Sequence, residues 1–284
     1  MHEPQIEIRL LFESDIPSAM RLKEAAGWNQ TEADWRRLLT LEPHGCFAAL
    51  KDGSLVGTTT TTTYEAELAW IGMVLVDPPH RRQGIANRLM ETALEYLKDK
   101  VKTVKLDATP LGKPVYERFS FEVESMIERW SGSAKTIMPP TINKTLNDDE
   151  RHELFELDQK AFSADRSKLI ELLIADALEQ PVLRRNETGA LCGYALARRG
   201  TKADYIGPVV TTRRGEIESL LDHALSQSSG RTVYIDFNTE CGVSTSVLAD
   251  RGFVKERDLI RMSAGRASNK TSPFVIAIAG PEIG

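Results

Sequence analysis

Cysteine is scarce in this 284-residue chain, which has only Cys46, Cys192 and Cys241. They are odd in number, widely spaced, and form no C-x-x-C pair. That speaks against a disulfide framework and a zinc site and for a reducing compartment, so a cytoplasmic location is expected. No H-E-x-x-H occurs, and no residue set nominates a metal. No apolar run is long enough to span a bilayer, so no membrane partner is expected. Met1-His2-Glu3-Pro4 has neither a basic nor an apolar region, and no signal peptide is read there. Positive charge is not in excess: 36 Lys and Arg against 41 Asp and Glu leave a net charge of −5. Without a basic balance or stripe, nucleic acid is not an expected partner. A mild acidic surplus suits amine-bearing substrates without singling them out.

What is present is an ordinary globular composition, 41% hydrophobic and 27% charged, at a length comfortable for two domains. Strand and helix patterns alternate from the start. Ile6 to Leu11 is strand-like, and Asp15 can cap a helix to about Ala26. Thr31 with Asp34 forms a capping box that opens a second helix, ended by Pro43. Cys46 to Leu50 and Leu55 to Tyr64 are strands joined at Asp52-Gly53. The threonine run Thr58 to Thr63 belongs to the second, since β-branched residues favour strands. Leu68 to Val76 is a strand, Gly84 to about Lys98 a helix, and Val101 to Ala108 a strand. Lys113 to Phe119 is a short helix and Phe121 to Trp130 the closing strand. Ser131 to Asp148, with Gly132, Pro139 and Pro140, breaks the pattern and is read as a linker.

The second half repeats the first in weakened form. Ile71-Gly72-Met73-Val74 is echoed by Ile206-Gly207-Pro208-Val209. Leu106-Asp107 is echoed by Ile235-Asp236. Phe121 with Ile127 and Arg129 is echoed by Phe253 with Leu259 and Arg261. The matches fall in order at nearly one offset, which predicts a duplicated domain: residues 1–132, a linker at 133–147, and residues 148–284.

The most informative stretch runs from Trp70 to Met90. A strand ends at Val76, and Asp77-Pro78-Pro79 stops its ladder because proline has no N–H. A basic loop follows, then Gly84 and a helix. The first amides of a helix lack intrahelical partners and the macrodipole is positive there, so an anion at that end gains several hydrogen bonds. Gly84 and Ala86 leave room for close approach. Arg81 and Arg82 add positive charge. The loop is neither the dinucleotide G-x-G-x-x-G nor a P-loop.

The string resembles the acetyl-CoA motif of the GNAT superfamily, [QR]-x-x-G-x-[GA], here Arg81-Arg-Gln-Gly84-Ile-Ala86. Its Val-x-Val-x-Pro lead-in is matched by Val74-Leu-Val76-Asp-Pro78. The resemblance implies an α/β (α+β) protein of tandem GNAT folds, each a mixed, mostly antiparallel central sheet flanked by helices. It implies acetyl-CoA as co-substrate, held by Val74, Leu75 and Val76 along the pantetheine arm. Arg81, Arg82, Gln83, Gly84, Ile85, Ala86 and Asn87 would then wrap the pyrophosphate. The segment Leu106 to Phe121 is similar to the family's closing segment, with Ser120 in place of its usual Gly and Thr109 in place of its common Asn.

Acetyl transfer to an amine needs a base for the amine, a donor to the oxyanion and an acid for the leaving thiolate. The resemblance assigns the acid to Tyr116. A backbone N–H near Val74 is the expected oxyanion donor. Glu65, Glu67 and Asp107 compete for the base, with His44 and His80 as further candidates by type; His80 is read as part of the solvated loop and Cys46 as a buried structural thiol. Trp28, Asn29 and Tyr64 are candidate acceptor contacts, joined by Asp236 and Asn238 from the second half. There the expected phosphate loop reads Thr211-Thr-Arg-Arg-Gly215-Glu216, too short for the motif and with Glu216 opposing a pyrophosphate. The second domain is therefore expected to be a degenerate copy. The apolar stretch Phe274 to Ala279 is either a further strand or a contact to another subunit. The leading expectation is a small-molecule amine acetyltransferase; a protein or peptide amine as acceptor, and a CoA-binding sensor, are the alternatives.

Overall fold

The structure is a computed structural model that describes residues 6–134, 145–265 and 272–284. Most of the expected linker, residues 135–144 with Pro139 and Pro140, lies outside the described residues. The first half contains β1 (Glu7–Leu10), α1 (Ile16–Ala25), α2 (Glu32–Leu41), β2 (Cys46–Lys51), β3 (Ser54–Tyr64), β4 (Leu68–Val76), α3 (Ile85–Leu97), β5 (Thr103–Ala108), α4 (Lys113–Glu117) and β6 (Glu122–Ser133). The second half contains α5 (Asp148–Phe162), α6 (Ser167–Ala175), β7 (Val182–Arg185), β8 (Leu191–Arg198), β9 (Asp204–Thr211), α7 (Ile217–Ser226), β10 (Thr232–Asn238), α8 (Ser246–Ala249), β11 (Val254–Gly265) and β12 (Val275–Ala277).

Local chemistry accounts for the helix starts. Thr31 and Asp34 bond reciprocally: the Thr31 amide donates to Asp34 Oδ2 at 2.7 Å, and the Asp34 amide donates to Thr31 Oγ1. Asp15 does not cap α1 with its side chain, contrary to expectation. Its carboxylate is taken by Arg9, at 2.7 and 2.9 Å, and by the Phe12 amide. The apolar stripe of α3, Ile85, Leu89, Met90, Ala93 and Leu97, is buried against the sheet. Helices α1 and α2 cover the opposite face together with α5 and α6.

The strands form one sheet in the order β1-β2-β3-β4-β5-β11-β6-β10-β12-β9-β8-β7. Among the described residues, only β4–β5 and β10–β9 are parallel. The sequence reading envisaged two separate sheets, but the halves exchange their long C-terminal strands. β11 of the second half pairs with β5 of the first, and β6 of the first pairs with β10 of the second. β6 and β11 also pair with each other at the centre.

Both parallel pairs come apart after three matched positions. β4 and β5 pair over Leu68–Trp70 and Thr103–Lys105, then diverge. β9 and β10 pair over Asp204–Ile206 and Val233–Ile235, then diverge. The second gap is filled by β12, which bonds β10 at Ala277 and β9 at Val275 and Ala277. The apolar stretch Phe274 to Ala279 thus supplies an internal strand of the second half, Val275–Ala277. Among the described residues, the first gap contains no such strand.

Candidate active site

The gap between β4 and β5 opens into a cavity of about 480 Å³, counted with its mouth. Its walls come from Ile71, Gly72, Met73 and Val74 on β4, and from Leu106 and Asp107 on β5, followed by Thr109 and Tyr116. Arg129 of β6, Arg257 and Leu259 of β11, Trp28, Gln30, Pro281 and Glu282 complete it. β4 bulges here: Leu75 faces Thr58 and Gly72 faces Thr60, so Met73 and Val74 share one partner position. Met73 takes a left-handed φ of 49°, and its carbonyl accepts a hydrogen bond from Thr58 Oγ1 at 2.8 Å. A bulge re-aims backbone groups beside a site.

The loop after β4 leads to the N-terminus of α3. Arg82 (φ 61°) and Gly84 (φ 77°) are both left-handed, the geometry that gathers successive amides into an anion-binding nest. Gly84 is the N-cap, no side chain caps the helix, and its first turn has no acidic residue. Arg81, Arg82, Gln83 and Gly84 are exposed, and a Cβ at Gly84 would meet nothing. Arg81 Nε donates to the Val76 carbonyl at 3.3 Å, and Gln83 Oε1 accepts from Lys51 at 3.0 Å. Ile85 is buried and anchors α3, while Ala86 and Asn87 are partly exposed beside the loop. The partly buried Val74 lines the gap, while Val76 packs on the cluster around Ile85 and Leu89. Leu75 turns the other way, into the core shared with α1 and α2, so only its backbone is available to a ligand. The loop therefore fits a pyrophosphate: free amides at a positive helix end, with cationic side chains around them.

Tyr116 lies in the cavity wall, its ring edge-on to Phe121 at 6.3 Å. Burial pushes its phenol up to about 12, which keeps the proton on at neutral pH. Asp107 also lines the cavity, but both its oxygens are taken by Arg261 of β11 at 2.8 Å. Burial raises its pKa and Arg261 opposes the rise. That pairing ill suits it as a base. Glu67 is remote from the cavity and pairs with Lys102. Glu65 accepts from the Asp165 amide.

Of the five expected acceptor contacts, the structure brings only Trp28 to this cavity. Asn29 spends its side chain on the β8–β9 loop, donating to the Ala203 carbonyl and accepting from the Lys202 and Ala203 amides at 2.8–3.0 Å. Tyr64 is buried, and its hydroxyl donates to the Ile283 carbonyl at 2.6 Å. Asp236 is fully buried beneath the wall, where it accepts from Arg129 at 2.6 and 2.7 Å and from Tyr205 at 3.0 Å. Asn238 holds the Ser272 and Val275 carbonyls and so fixes β12. These four polar side chains tie the halves and the C-terminal segment together.

Sequence reasoning passed over Glu282, Gln30 and Arg257. After β12 the chain crosses to the first half. Trp70 Nε1 donates to the Pro281 carbonyl at 3.0 Å, and Arg166 donates to the Gly284 carbonyl at 2.9 Å. A Cβ at Gly72 would stand 2.6 Å from the Glu282 carbonyl oxygen, so the absence of a side chain there admits the segment. Glu282 is 3% exposed. Its Oε2 accepts from Gln30 at 2.8 Å, and Oε1 is buried with no hydrogen-bond partner. Arg198 stands between Asp34 at 3.7 Å and Glu282 at 3.8 Å. Burial and then the Asp34 charge raise the Glu282 pKa against the pull of Arg198. Burial would raise Asp34 as well, but Arg37 and Arg198 outweigh it and hold Asp34 low. No local signal marks Glu282, because every partner lies more than 80 positions away.

The second half differs at each matching place. Its gap is occupied by β12, Glu216 sits at the N-cap of α7 and Glu218 in its first turn. Negative charge there satisfies the helix end itself and repels a phosphate.

Residues 11–121 match the Acetyltransferase (GNAT) family and residues 154–274 an Acetyltransferase (GNAT) domain. The chain belongs to the GNAT superfamily and is an N-acetyltransferase built from two GNAT domains. It is similar to the uncharacterized N-acetyltransferase YitH of Bacillus subtilis, 24% identical over 255 residues and 88% of each chain. A Pyrococcus horikoshii protein described as an acetyltransferase shares its fold with a TM-score of 0.79, at 22% identity, over 100% of this chain and 98% of that one. A tandem GNAT protein from the clavulanic acid biosynthesis pathway aligns with a TM-score of 0.63 at 16% identity, over 93% of this chain and 100% of that one. Among the described residues, no helix is long and apolar enough to cross a membrane.

Proposed function

We propose that the first domain binds acetyl-CoA and passes its acetyl group directly to the amine of a small molecule. The observation that carries this reading is the placing of two features along one strand. The left-handed loop at Arg82–Gly84 follows the end of β4, and the gap beside β4 is lined by Val74 and Tyr116. The loop amides, Arg81 and Arg82 would hold the pyrophosphate, with Gln83, Ala86 and Asn87 beside it. Bound there, acetyl-CoA supplies an activated thioester. The backbone at the Met73–Val74 bulge is the donor to the oxyanion, and protonated Tyr116 is the acid for the sulfur. Glu282 replaces Glu67 and Asp107 as base, since its Oε1 accepts no hydrogen bond and stands 3.8 Å from Arg198, and its pKa is raised. Closure of the cavity by Pro281 and Glu282 favours a small acceptor over a protein amine. Three free, buried cysteines are consistent with a cytoplasmic setting.

Calorimetric titration with acetyl-CoA tests the donor site. One equivalent is expected, and Gly84→Glu should abolish it by placing a carboxylate at a left-handed position beside the amides. Two equivalents would refute a second domain closed by β12. No binding would remove the donor site from the first.

A further inference from the structure

β11 carries one unmatched residue where it passes β6. Lys255 faces Trp130 and Arg257 faces Arg129, leaving Glu256 between them. A bulge turns the following side chain to a new direction. Here it sets two arginines opposite each other, both lining the cavity. Like charges facing across a strand pair are destabilising unless something offsets them. The neighbouring pair Glu128 and Asp258 is bridged by Lys255, at 2.8 and 2.7 Å. Arg129 is neutralised by Asp236. Arg257 makes no ion pair among the described residues, and its Nε is buried without a hydrogen-bond partner. Burial, and then the facing Arg129, pull its pKa below the usual arginine value.

The cavity wall carries four charges. Asp107 and Arg129 each have a bidentate partner behind the wall, Arg261 and Asp236 respectively. Arg257 and Glu282 remain: a guanidinium without an ion pair among the described residues, and a carboxylate whose Oε1 accepts no hydrogen bond and has only Arg198, 3.8 Å away, as counter-charge. Asp236 and Glu256 lend Arg257 some longer-range compensation, but a cation with no direct ion pair next to a paired cation is a ready receptor for a planar monoanion.

We propose that the acceptor is a zwitterion of the amino-acid class, with its carboxylate on Arg257 and its amino group at Glu282. This deepens, and rests on, the acetyl-transfer reading of the same cavity. Glu282 takes one proton from the ammonium group. The freed nitrogen lone pair forms the C–N bond at the thioester carbonyl, and the C–S bond breaks. The leaving sulfur takes the Tyr116 proton, and the phenolate recovers a proton from the new amide nitrogen. The products are an N-acetyl amino acid, a free thiol and one proton, held first on Glu282 and then passed to water.

Thiol release by the full chain is measured with free α-amino acids and with the corresponding carboxamides, acetyl-CoA being the donor. At least one amino acid is expected to exceed its carboxamide in kcat/KM by roughly 10- to 100-fold, the worth of a charge-assisted bond. Arg257→Gln should collapse that ratio through KM, and Arg257→Lys should restore part of it. Glu282→Gln should lower kcat and remove the acidic limb of the pH profile. Titration of each variant with acetyl-CoA checks that it is folded. The proposal is overturned if carboxamides do as well as amino acids, or if the ratio survives Arg257→Gln. It is also overturned if a protein that binds acetyl-CoA acetylates neither class. Failure of the parent to bind acetyl-CoA would sink the donor reading instead.

Discussion

At the scale of single residues, the site depends on side chains placed by what surrounds them. Gly72 is the clearest case, because the C-terminal segment lies where its Cβ would be. Gly72→Ala forces either β4 or the Glu282 backbone to move, as overpacking does. It should cost about 1–3 kcal/mol of stability, read by urea unfolding, and lower kcat through displacement of Glu282. Glu282 allows a second expectation. A carboxyl whose folded pKa is raised binds its proton more tightly in the folded protein than in the unfolded chain. The contribution of Glu282 to stability is then full below the ordinary glutamate range, and is lost as pH rises through the raised value. The groups that face it, Asp34, Arg198 and Gln30, are polar or charged and set that balance. Glu282→Gln should therefore melt above the parent at neutral pH and lose that advantage near roughly pH 4, where glutamate is protonated in both states. A lower melting temperature at neutral pH would contradict the raised pKa.

At the scale of elements, β12 and the residues after it are the economical point of attack. Val275, Ile276, Ala277, Ile278, Ala279 and Ile283 are all buried. Truncation before Val275 exposes that surface and strips the β9 and β10 edges of their partner. Amides of Val209, Val210 and Phe237 should exchange faster in hydrogen–deuterium exchange, with catalysis lost even where acetyl-CoA still binds. Unchanged protection would show that the second gap does not need its strand. Most elements themselves were legible in the sequence. The capping box at Thr31, the stripe of α3 and the Gly84 loop are written in neighbouring residues, so short-range pattern sufficed. Arg257 was not legible, because a one-residue bulge re-aims it and alternation alone cannot register that. Asn29, Tyr64, Asp236 and Asn238 drew notice as polar groups near the right elements. Their partners are distant in sequence, and those partners make them struts.

At the scale of the whole molecule, the exchange of β6 and β11 decides how the chain folds. A fragment of residues 1–134 has β5 and β6 but not β11 between them, and leaves both edges bare. It is expected to give a circular dichroism spectrum of a largely unfolded chain. Co-expressed with residues 145–284, it should assemble into a complex that binds acetyl-CoA. An independently folded fragment would show that the exchange is dispensable. The repeat in sequence announced two domains, but nothing in a strand's alternation says which half it will join. The merged sheet was invisible for that reason.

The same exchange bears on inheritance. A second copy whose gap is filled by its own strand, as β12 fills this one, would ordinarily be free to decay and be deleted. Here its loss would take β11 out of the middle of the first copy's sheet, and with it Arg257, Arg261 and the strand end that delivers Glu282. Selection acting on the first gap alone is therefore enough to retain the second half. The two halves, once crossed, can change in sequence separately but can no longer be lost or recombined one at a time.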